Sequence, residues 1–364
     1  MNPRRLAARL ALLAGGLLVG LILAEGVARL LRPAADADLL FDSFAGEPAG
    51  MIVDHPTLIN TLTPGFTGEV VGPGRAVSIR IDSHGLRGPE PGPHEGLRWL
   101  ALGDSFTFAA QVPEEETFTA LLAAHLGQQV LNGGVDGDGT WQSTRRWLAV
   151  DRALRPDGLL LVFFLGNDLV DDTVLRERVV HGPPPGAPTV PRPDPSTLTR
   201  LLLAHSRLYA HSRVVLRRRL LQTDAPRTER WRQELSLFTR GGRQALETMA
   251  HEAEDALTEL RDAAQARARR LVVATAPPAF VIEPERLAPT LALVGLDPTG
   301  ATPDAPGQAV AAVLDGLGIA GCDLTPALQA AEARGERTYL TYDGHWSAAG
   351  HRVVADTLAG CLAR

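Results

Sequence analysis

The sequence contains no lysine, so arginine supplies all 36 of its basic side chains. Without a lysine the chain cannot form a phosphate-binding P-loop, whose lysine contacts the nucleotide phosphates. Only two cysteines are present, Cys322 and Cys361, which excludes a disulfide-rich scaffold and a zinc site built from cysteines. They can form one disulfide outside the cytosol, or they can remain two buried thiols.

A large excess of charge is also missing, because the formal net charge is only -6. Nucleic-acid-binding domains carry a basic surface, so we expect no nucleic-acid partner. Hydrophobic residues make up 45% of the 364 positions, which is enough to bury a core. The length suits one large domain with elaborations, or two modest domains.

One long uncharged run is present, from Leu10 to Ala24, and it follows Arg4, Arg5 and Arg9. As a helix this run spans about 22 Å, whereas a bilayer core is about 30 Å thick. Glu25 and Arg29 stand four residues apart and can pair or snorkel, which would let the span continue to Leu31. The arginines before the run predict an N-terminus on the inner side and a remainder that is exported.

Two alternatives to this membrane anchor remain open. The run can be a cleaved signal peptide, with Ala24 and Gly26 at an imperfect cleavage site, or a soluble amphipathic helix. The anchor and the signal peptide both place the body of the chain outside the cytoplasmic membrane. The predicted location is therefore the cytoplasmic membrane, crossed once, with the main domain on the outer side.

The rest of the chain divides by composition into a short region and a long one. Residues 33–95 are rich in proline and glycine and contain one alternating stretch, AVSIRI, which predicts a small strand-and-loop linker region. Residues 96–364 alternate between strand and helix patterns, apart from a predicted insertion at about 172–228 with seven prolines between Pro183 and Pro195. Residues 1–32 form the anchor segment.

Five strands are predicted in the long region: LRWLAL, QQVLNGG, GLLLVFFLGND, RLVVATAPP and GIAGCDL. The third is continuously apolar, as expected when helices cover both faces of a parallel sheet. This pattern predicts an α/β fold, a three-layer α/β/α sandwich with a five-stranded parallel sheet of flavodoxin-like type. We also expect a helix over PEEETFTALLAAHLG with Pro113 in its first turn, and a last helix capped by Ser347.

Four short stretches would meet at the carboxyl ends of these strands. They are GDS at 103–105, NGGVDGDGT at 132–140, GND at 166–168 and DGHWSAAGH at 343–351. Taken together and in this order, they resemble the blocks of the SGNH superfamily, the GDSL-type esterases, lipases and acyltransferases. The N-terminal anchor, GLRGPEP and GDSFTF also resemble a membrane-anchored bacterial branch of that superfamily.

The resemblance implies a role for each matching residue. Ser105 would be the nucleophile, His345 the base and Asp343 the carboxylate that orients the base. The oxyanion hole would consist of the Ser105 and Gly137 N–H groups and the Asn167 amide. The same roles are chemically required, since a serine hydroxyl needs a base and a tetrahedral oxyanion needs fixed donors.

The last block departs from the common Asp-x-x-His pattern, because here Asp343 is followed by Gly344 and His345. In an extended segment residues two apart face the same side, about 7 Å apart, so the pair remains feasible. An Asp-x-His-Trp arrangement also occurs in the alginate-acetylation relatives of the superfamily. His351 is the other histidine of the block, and we expect packing or capping contacts from it.

Residues outside these blocks are interpreted as structural. Asp168 to Asp172 form an acidic run that we expect to be a solvated loop and not a metal site. No metal or cofactor is predicted. Trp346 is expected to pack in the core or, alternatively, to stack on a sugar ring.

The predicted function is that of an anchored extracytoplasmic serine esterase that hydrolyses O-acyl esters through an acyl-serine intermediate. The ester substrate would be a lipid, a glycan or a small acyl ester. Two alternatives keep the same fold: an O-acyltransferase that modifies an exported glycan, and a non-catalytic envelope module.

Overall fold

The computed structural model describes residues 3–30, 48–72, 75–94, 96–181, 196–210, 212, 216, 225–340 and 344–363. The first element is a long helix, α1 (Pro3–Leu30). Within the described ranges, its stretch Arg9–Leu30 is the one helix long and apolar enough to cross a membrane, and none of that stretch is buried. The apolar N-terminal helix expected from the sequence is therefore present.

Two antiparallel hairpins follow α1, where the sequence predicted one alternating strand. Their strands are β1 (Ile52–His55), β2 (Ile59–Leu62), β3 (Thr67–Gly72) and β4 (Arg75–Arg80). β1 and β2 are four residues long and mostly half-exposed, so they carry too few buried positions to show a period of two. The hairpins pack against the main domain at Phe108 and Val135.

The main domain is built on five parallel strands, which confirms the predicted fold class. The strands are β5 (Arg98–Gly103), β6 (Gln129–Asn132), β7 (Gly158–Phe164), β8 (Arg270–Ala276) and β9 (Ala320–Asp323). They lie in the order β6-β5-β7-β8-β9. The strand order reverses direction beside β5, and α/β proteins place their sites at the carboxyl end of the sheet at such a switch point.

Helices follow the strands along the chain, and most of them cover the two faces of this sheet. They are α2 (Ser105–Phe108), α3 (Phe118–Leu126), α4 (Thr140–Leu154), α5 (Asp168–His181), α6 (Thr197–His205), α7 (Ala225–Ser236), α8 (Arg243–Ala266), α9 (Ala279–Ile282), α10 (Leu287–Leu293), α11 (Ala305–Leu317), α12 (Thr325–Ala333) and α13 (Ala348–Leu362). Leu159, Leu161 and Phe163 point to the face covered by α4, α8 and α11. Leu160 and Val162 point to the face covered by α3, α12 and α13. This alternation explains the continuously apolar third strand.

Helix α3 begins later than the sequence predicted. Glu114–Glu116 form a short 3-10 turn, and the α-helix starts at Phe118. The side chain of Thr117 accepts a hydrogen bond from the Ala120 N–H at 3.3 Å, and this cap sets the start. Helix α13 begins as predicted, because Ser347 Oγ accepts hydrogen bonds from the N–H groups of Ala349 and Gly350.

The two cysteines form a disulfide, which decides between the two states that the sequence left open. Cys322 lies on the edge strand β9, and Cys361 lies near the end of α13. Their Cα atoms are 6.1 Å apart. The disulfide ties the last helix to the edge of the sheet.

Candidate active site

Ser105 stands at the carboxyl end of β5, on a turn that needs the residues before it. Gly103 has φ +138°, and a Cβ there would lie 2.6 Å from both the Val162 carbonyl and Thr107 Oγ1, so only glycine fits. Asp104 Oδ1 accepts a hydrogen bond from the Phe106 N–H at 2.9 Å and caps α2. Ser105 is thereby the first residue of α2, with a partly exposed side chain.

His345 approaches Ser105 from the loop before α13. Its Nε2 atom lies 2.7 Å from Ser105 Oγ. The ring is held beside Phe106, at 4.8 Å between centroids, and Phe106 stacks on Phe164 at 4.0 Å. A hydroxyl within hydrogen-bond distance of an imidazole nitrogen is the geometry of a base-activated nucleophile.

His351 occupies a different environment, although it is only six residues further along the chain. Its side chain is buried in the first turns of α13, and Nδ1 accepts a hydrogen bond from the Phe118 N–H at 3.2 Å. Burial lowers the pKa of His351 to about 3, with the charges of Arg87 and His345 acting in the same direction. His351 is thus a neutral packing and capping residue at neutral pH.

Two other residues of the last block have different outcomes. Asp343 lies outside the described residues, so its role remains a prediction. Trp346 is fully buried and packs edge-on against Phe106, with centroids 4.9 Å apart. This burial favours the packing interpretation of Trp346 over stacking on a sugar.

Asn167 follows β7, which lies directly beside β5. Its Nδ2 atom donates a hydrogen bond to Asp171 Oδ2 at 2.9 Å. Since a carboxamide carries two N–H groups, this bond uses one and fixes the direction of the other. Asp171 therefore determines how the Asn167 amide is presented.

The acidic run after Asn167 is not a solvated loop, and that prediction is wrong. Asp168, Asp171 and Asp172 are all buried in the first turns of α5. Asp168 Oδ2 accepts from the Phe164 N–H at 2.8 Å, and Asp172 Oδ1 accepts from the Trp141 N–H at 3.3 Å. These carboxylates are buried because they satisfy backbone N–H groups where strand ends and helix starts converge.

Asp171 is paired with a residue from a distant part of the sequence. Arg230 Nη2 on α7 lies 2.6 Å from Asp171 Oδ1, and Arg230 also pairs with Glu234 at 2.8 Å. Burial raises the pKa of Asp171 to about 8, whereas the Arg230 guanidinium pulls it down. Sequence reasoning missed this pair, because nothing in the spacing of residues 171 and 230 indicates contact.

Gly137 lies on the loop after β6, exposed and with φ +76°. The neighbouring Asp138 is buried and forms an ion pair with Arg146, whose Nη2 also donates to the Asn60 carbonyl at 2.7 Å. Gly134 is packed tightly, since a Cβ there would lie 2.3 Å from the Phe108 backbone nitrogen. The first hairpin and α4 thus support the loop that carries Gly137.

Arg87 belongs to the GLRGPEP stretch, and the sequence assigned it no role. Its side chain is buried and donates hydrogen bonds to the carbonyls of Phe108, at 2.5 Å, Ala109, and Val112, at 2.6 Å. Burial lowers the pKa of Arg87 to about 10, so the side chain stays charged at neutral pH. The guanidinium therefore stabilises the carbonyl end of α2, the helix that begins at Ser105.

The Ser105–His345 contact thus lies at the carboxyl end of β5, directly beside the central strand β7 of the α/β/α sandwich. Residues 237–364 match the family model described as "SGNH hydrolase-like domain, acetyltransferase AlgX". This match supports the SGNH superfamily that the sequence blocks indicated, over the residues that the family model covers. The matched residues include His345, whereas Ser105 and Asn167 lie before them.

The chain is also similar to solved structures of low sequence identity. One is LAE5, described as an alpha/beta hydrolase enzyme from the metagenome of Lake Arreo, Spain, with 17% identity, 73% of this chain and 96% of that chain covered, and a TM-score of 0.41. Another is a catalytic mutant of Axe2, an acetylxylan esterase from Geobacillus stearothermophilus, with 15% identity, 74% and 95% covered, and a TM-score of 0.40. No curated protein matches the chain in sequence.

Proposed function

We propose that this chain is a serine esterase that cleaves O-acyl esters through an acyl-Ser105 intermediate. The observation that carries the proposal is the 2.7 Å distance between Ser105 Oγ and His345 Nε2 at the carboxyl end of β5. An imidazole nitrogen at that distance can take the proton of the hydroxyl, which a serine with only a structural role in a turn does not require. The contact also argues against a non-catalytic envelope module.

The reaction begins when Ser105 Oγ attacks the carbonyl carbon of the ester and His345 Nε2 takes the hydroxyl proton. The carbonyl double bond opens to a tetrahedral oxyanion. When the oxyanion collapses, the bond to the leaving alkoxide breaks and His345 gives that alkoxide its proton. Water then attacks the acyl-serine, again with His345 as base. The bond from the acyl carbon to Ser105 Oγ breaks, His345 returns the proton to Ser105, and the acid is released. Asp343 is proposed to orient His345, as the sequence block implies.

The oxyanion would be bound by the Ser105 N–H, the Gly137 N–H and the Asn167 Nδ2 amide. Asn167 is the best supported of these donors, because Asp171 holds one of its N–H groups at 2.9 Å and leaves the other to the site. Losing one such donor typically costs about 3 kcal/mol of transition-state stabilisation. Asp171 and Arg230 are accordingly proposed as positioning residues.

We further propose that residues 1–32 anchor the protein in the cytoplasmic membrane, with residues 33–95 and the catalytic domain of 96–364 on the outer side. Helix α1 has the length and apolar surface for a span. The Cys322–Cys361 disulfide supports the outer side, since disulfides persist in oxidising compartments. Thiol alkylation in intact cells tests this location: the reagent should modify neither Cys322 nor Cys361 until a reductant is added.

The second candidate is an O-acetyltransferase that passes the acyl group to a hydroxyl of an exported glycan. The family match favours it, because the matching domain is described as an acetyltransferase. The first half-reaction is unchanged. In the second half-reaction the glycan hydroxyl attacks the acyl-serine in place of water, and His345 takes its proton. The bond from the acyl carbon to Ser105 Oγ then breaks, and His345 returns the proton to Ser105.

The central experiment uses the purified full chain in detergent with p-nitrophenyl acetate as acyl donor. We expect ester turnover in the wild type and labelling of Ser105 by a fluorophosphonate probe, located by mass spectrometry. Ser105→Ala should lose both. The matched control is Ser83→Ala, which removes an exposed hydroxyl bonded to Glu90 and should keep both.

Adding a panel of glycan acceptors separates the two candidates. Faster release of p-nitrophenol together with acetylated glycan would favour the transferase. Release of acetate alone with every acceptor would favour the esterase. Wild-type turnover in Ser105→Ala would contradict both.

A further inference from the structure

The C-terminal part of α1 is hydrogen-bonded to residues 205–208, at the end of α6. Glu25 Oε1 accepts a hydrogen bond from the Arg207 N–H at 2.9 Å, and Glu25 Oε2 accepts from Ser206 Oγ at 2.8 Å and the Leu208 N–H at 3.0 Å. Arg29 pairs with Glu25 at 2.8 Å and donates to the His205 carbonyl at 3.0 Å. These bonds lie between the C-terminal end of α6 and the start of the helical stretch over 207–210.

The level of these contacts relative to a bilayer follows from helix geometry. A bilayer core of about 30 Å corresponds to about 20 helical residues. Counted from Arg9, where the apolar stretch begins, that length ends close to Arg29. With α1 across a bilayer, Glu25 and Arg29 would lie near the outer boundary of the hydrocarbon region, and residues 205–208 would lie there with them.

Helix α6 packs one side on the protein and exposes another side. Leu203 is buried against Val71 of β3, and Arg200 Nη2 donates to the Glu69 carbonyl at 3.0 Å. In contrast, Leu198 and Leu201 are 63% and 57% exposed. Because they are three residues apart, they share one side of the helix.

We propose that α6 lies in the headgroup layer of the membrane that α1 spans, with Leu198 and Leu201 inserted among the ends of the lipid acyl chains. The proposal rests on the proposed anchor. Its occupant is a lipid surface and not another protein, because the exposed leucines lie on a helix whose end is hydrogen-bonded to α1, the helix proposed to be surrounded by lipid. The nine residues of α6 extend for about 13 Å from the contact with Arg29, so Leu201 cannot be far from α1.

This arrangement is that of an interfacial amphipathic helix, whose apolar side enters the boundary between headgroups and acyl chains. It would have a consequence for the whole protein. Since α6 packs on β3 and β4, lipid contact by α6 would hold the hairpins and the catalytic domain close to the membrane surface.

The test uses the full chain in vesicles of phosphatidylcholine and phosphatidylglycerol. A Leu201→Cys variant is labelled with an environment-sensitive fluorophore, and the disulfide-bonded native cysteines do not react. We expect blue-shifted emission that is quenched by nitroxide-labelled lipid and protected from aqueous iodide. The matched control is Arg334→Cys, an exposed site at the end of α12, whose label should respond to iodide alone.

Flotation of the vesicles separates the two proposals. A chain that floats but carries an iodide-accessible label at position 201 would overturn the role of α6 and leave the anchor intact. A chain that does not float would overturn both. Adding Glu25→Ala should release α6, so that the label at position 201 becomes accessible to iodide while the chain still floats. Unchanged protection would overturn the fastening by Glu25.

Discussion

The ends of the neighbouring strands β5 and β7 are both followed by a helix, but different interactions stabilise the two connections. Each continues into a helix through a buried aspartate, Asp104 after β5 and Asp168 after β7. Each is also held by an arginine from elsewhere in the chain. At β5 the buried Arg87 binds backbone carbonyls, whereas at β7 the half-exposed Arg230 binds the carboxylate of Asp171.

The Arg87 contacts stabilise the fold, whereas the Arg230 contact affects the charge of a carboxyl group in the candidate site. Carbonyl groups buried without a partner are costly, so Arg87 should be needed for folding. An ion pair that is partly open to solvent contributes less to stability. The Arg230 guanidinium nevertheless favours the charged form of Asp171, which lies beside Asn167. The β5 end therefore depends on burial and the β7 end on electrostatics.

The largest effect is expected at the base that faces β5. His345→Ala should lower kcat by at least about a thousandfold, as loss of a triad member does. The measurement is ester turnover by the purified chain. His351→Ala is the matched control: it should keep most of the activity and lose thermal stability, because it removes the partner of the Phe118 N–H. The reverse pattern would exchange the roles of the two histidines.

The next effect is expected at the β7 end. Asn167→Asp keeps the shape of the side chain, removes its N–H donors and adds a negative charge beside the oxyanion. We expect kcat to fall by about a hundredfold or more, with KM changed much less. Steady-state kinetics measure both constants. A variant in which KM alone rises would assign Asn167 to substrate binding.

Arg87→Met should destabilise the protein at the β5 end. The carbonyls of Phe108, Ala109 and Val112 would lose their donor, and we expect the free energy of unfolding to fall by about 3 kcal/mol. Urea unfolding measures this change. Arg80→Met is the matched control, because Arg80 is half-exposed and pairs with Glu114, so its loss should cost about 1 kcal/mol or less. Equal costs would contradict the distinction between the two arginines.

Arg230→Gln should lower kcat by roughly tenfold at neutral pH, since it weakens control of the Asn167 amide without removing it. Asp171, with a pKa of about 8, also faces Asp104, Asp172 and Glu234, which all raise that pKa. Removing the guanidinium should raise the pKa of Asp171 further. If kcat rises when Asp171 loses its proton, that rise should therefore occur at higher pH in Arg230→Gln than in the wild type.

The pH profile of kcat tests this shift, and Arg230→Lys should restore most of the wild-type profile. Arg243→Gln is the control, because Arg243 is exposed and pairs with Glu247 away from Asp171. An identical profile in Arg230→Gln and wild type would contradict the positioning role.

The smallest effect is expected from Asp104→Asn. Burial raises the pKa of Asp104 to about 7, whereas an unfolded chain has a value of about 3.9. The folded state thus holds the proton more tightly, and the resulting stability is present below pH of about 4 and is lost as pH rises through about 7.

Asn at position 104 keeps the acceptor for the Phe106 N–H and removes this titration. We expect the free energy of unfolding to decline less between those pH values than in the wild type. Urea unfolding at a series of pH values measures the slope. Asp356→Asn, an exposed site, should retain the wild-type slope. A wild-type slope in Asp104→Asn would contradict the assignment of the titration to Asp104.

Local pattern alone determined much of this protein. The apolar runs predicted all five strands, and the blocks GDS, GND and DGHW marked residues that follow strands or precede the last helix. His345 was separated from His351 by the helix cap at Ser347, because capping depends on neighbouring residues. The late start of α3 and the hairpin strands β1, β2 and β3 were missed, since a side-chain cap and strands without alternating burial leave weak periodic signals.

The tertiary structure decided what depends on distant parts of the chain. Strand order placed β7 beside β5, and Arg230 reached Asp171 across 59 positions. The acidic run after Asn167 reads as a solvated surface in the sequence, because charged residues are normally exposed. Its burial became visible only where α4, α5 and α7 converge, since the free energy of a carboxylate depends on the partners that folding brings to it and not on its neighbours in sequence.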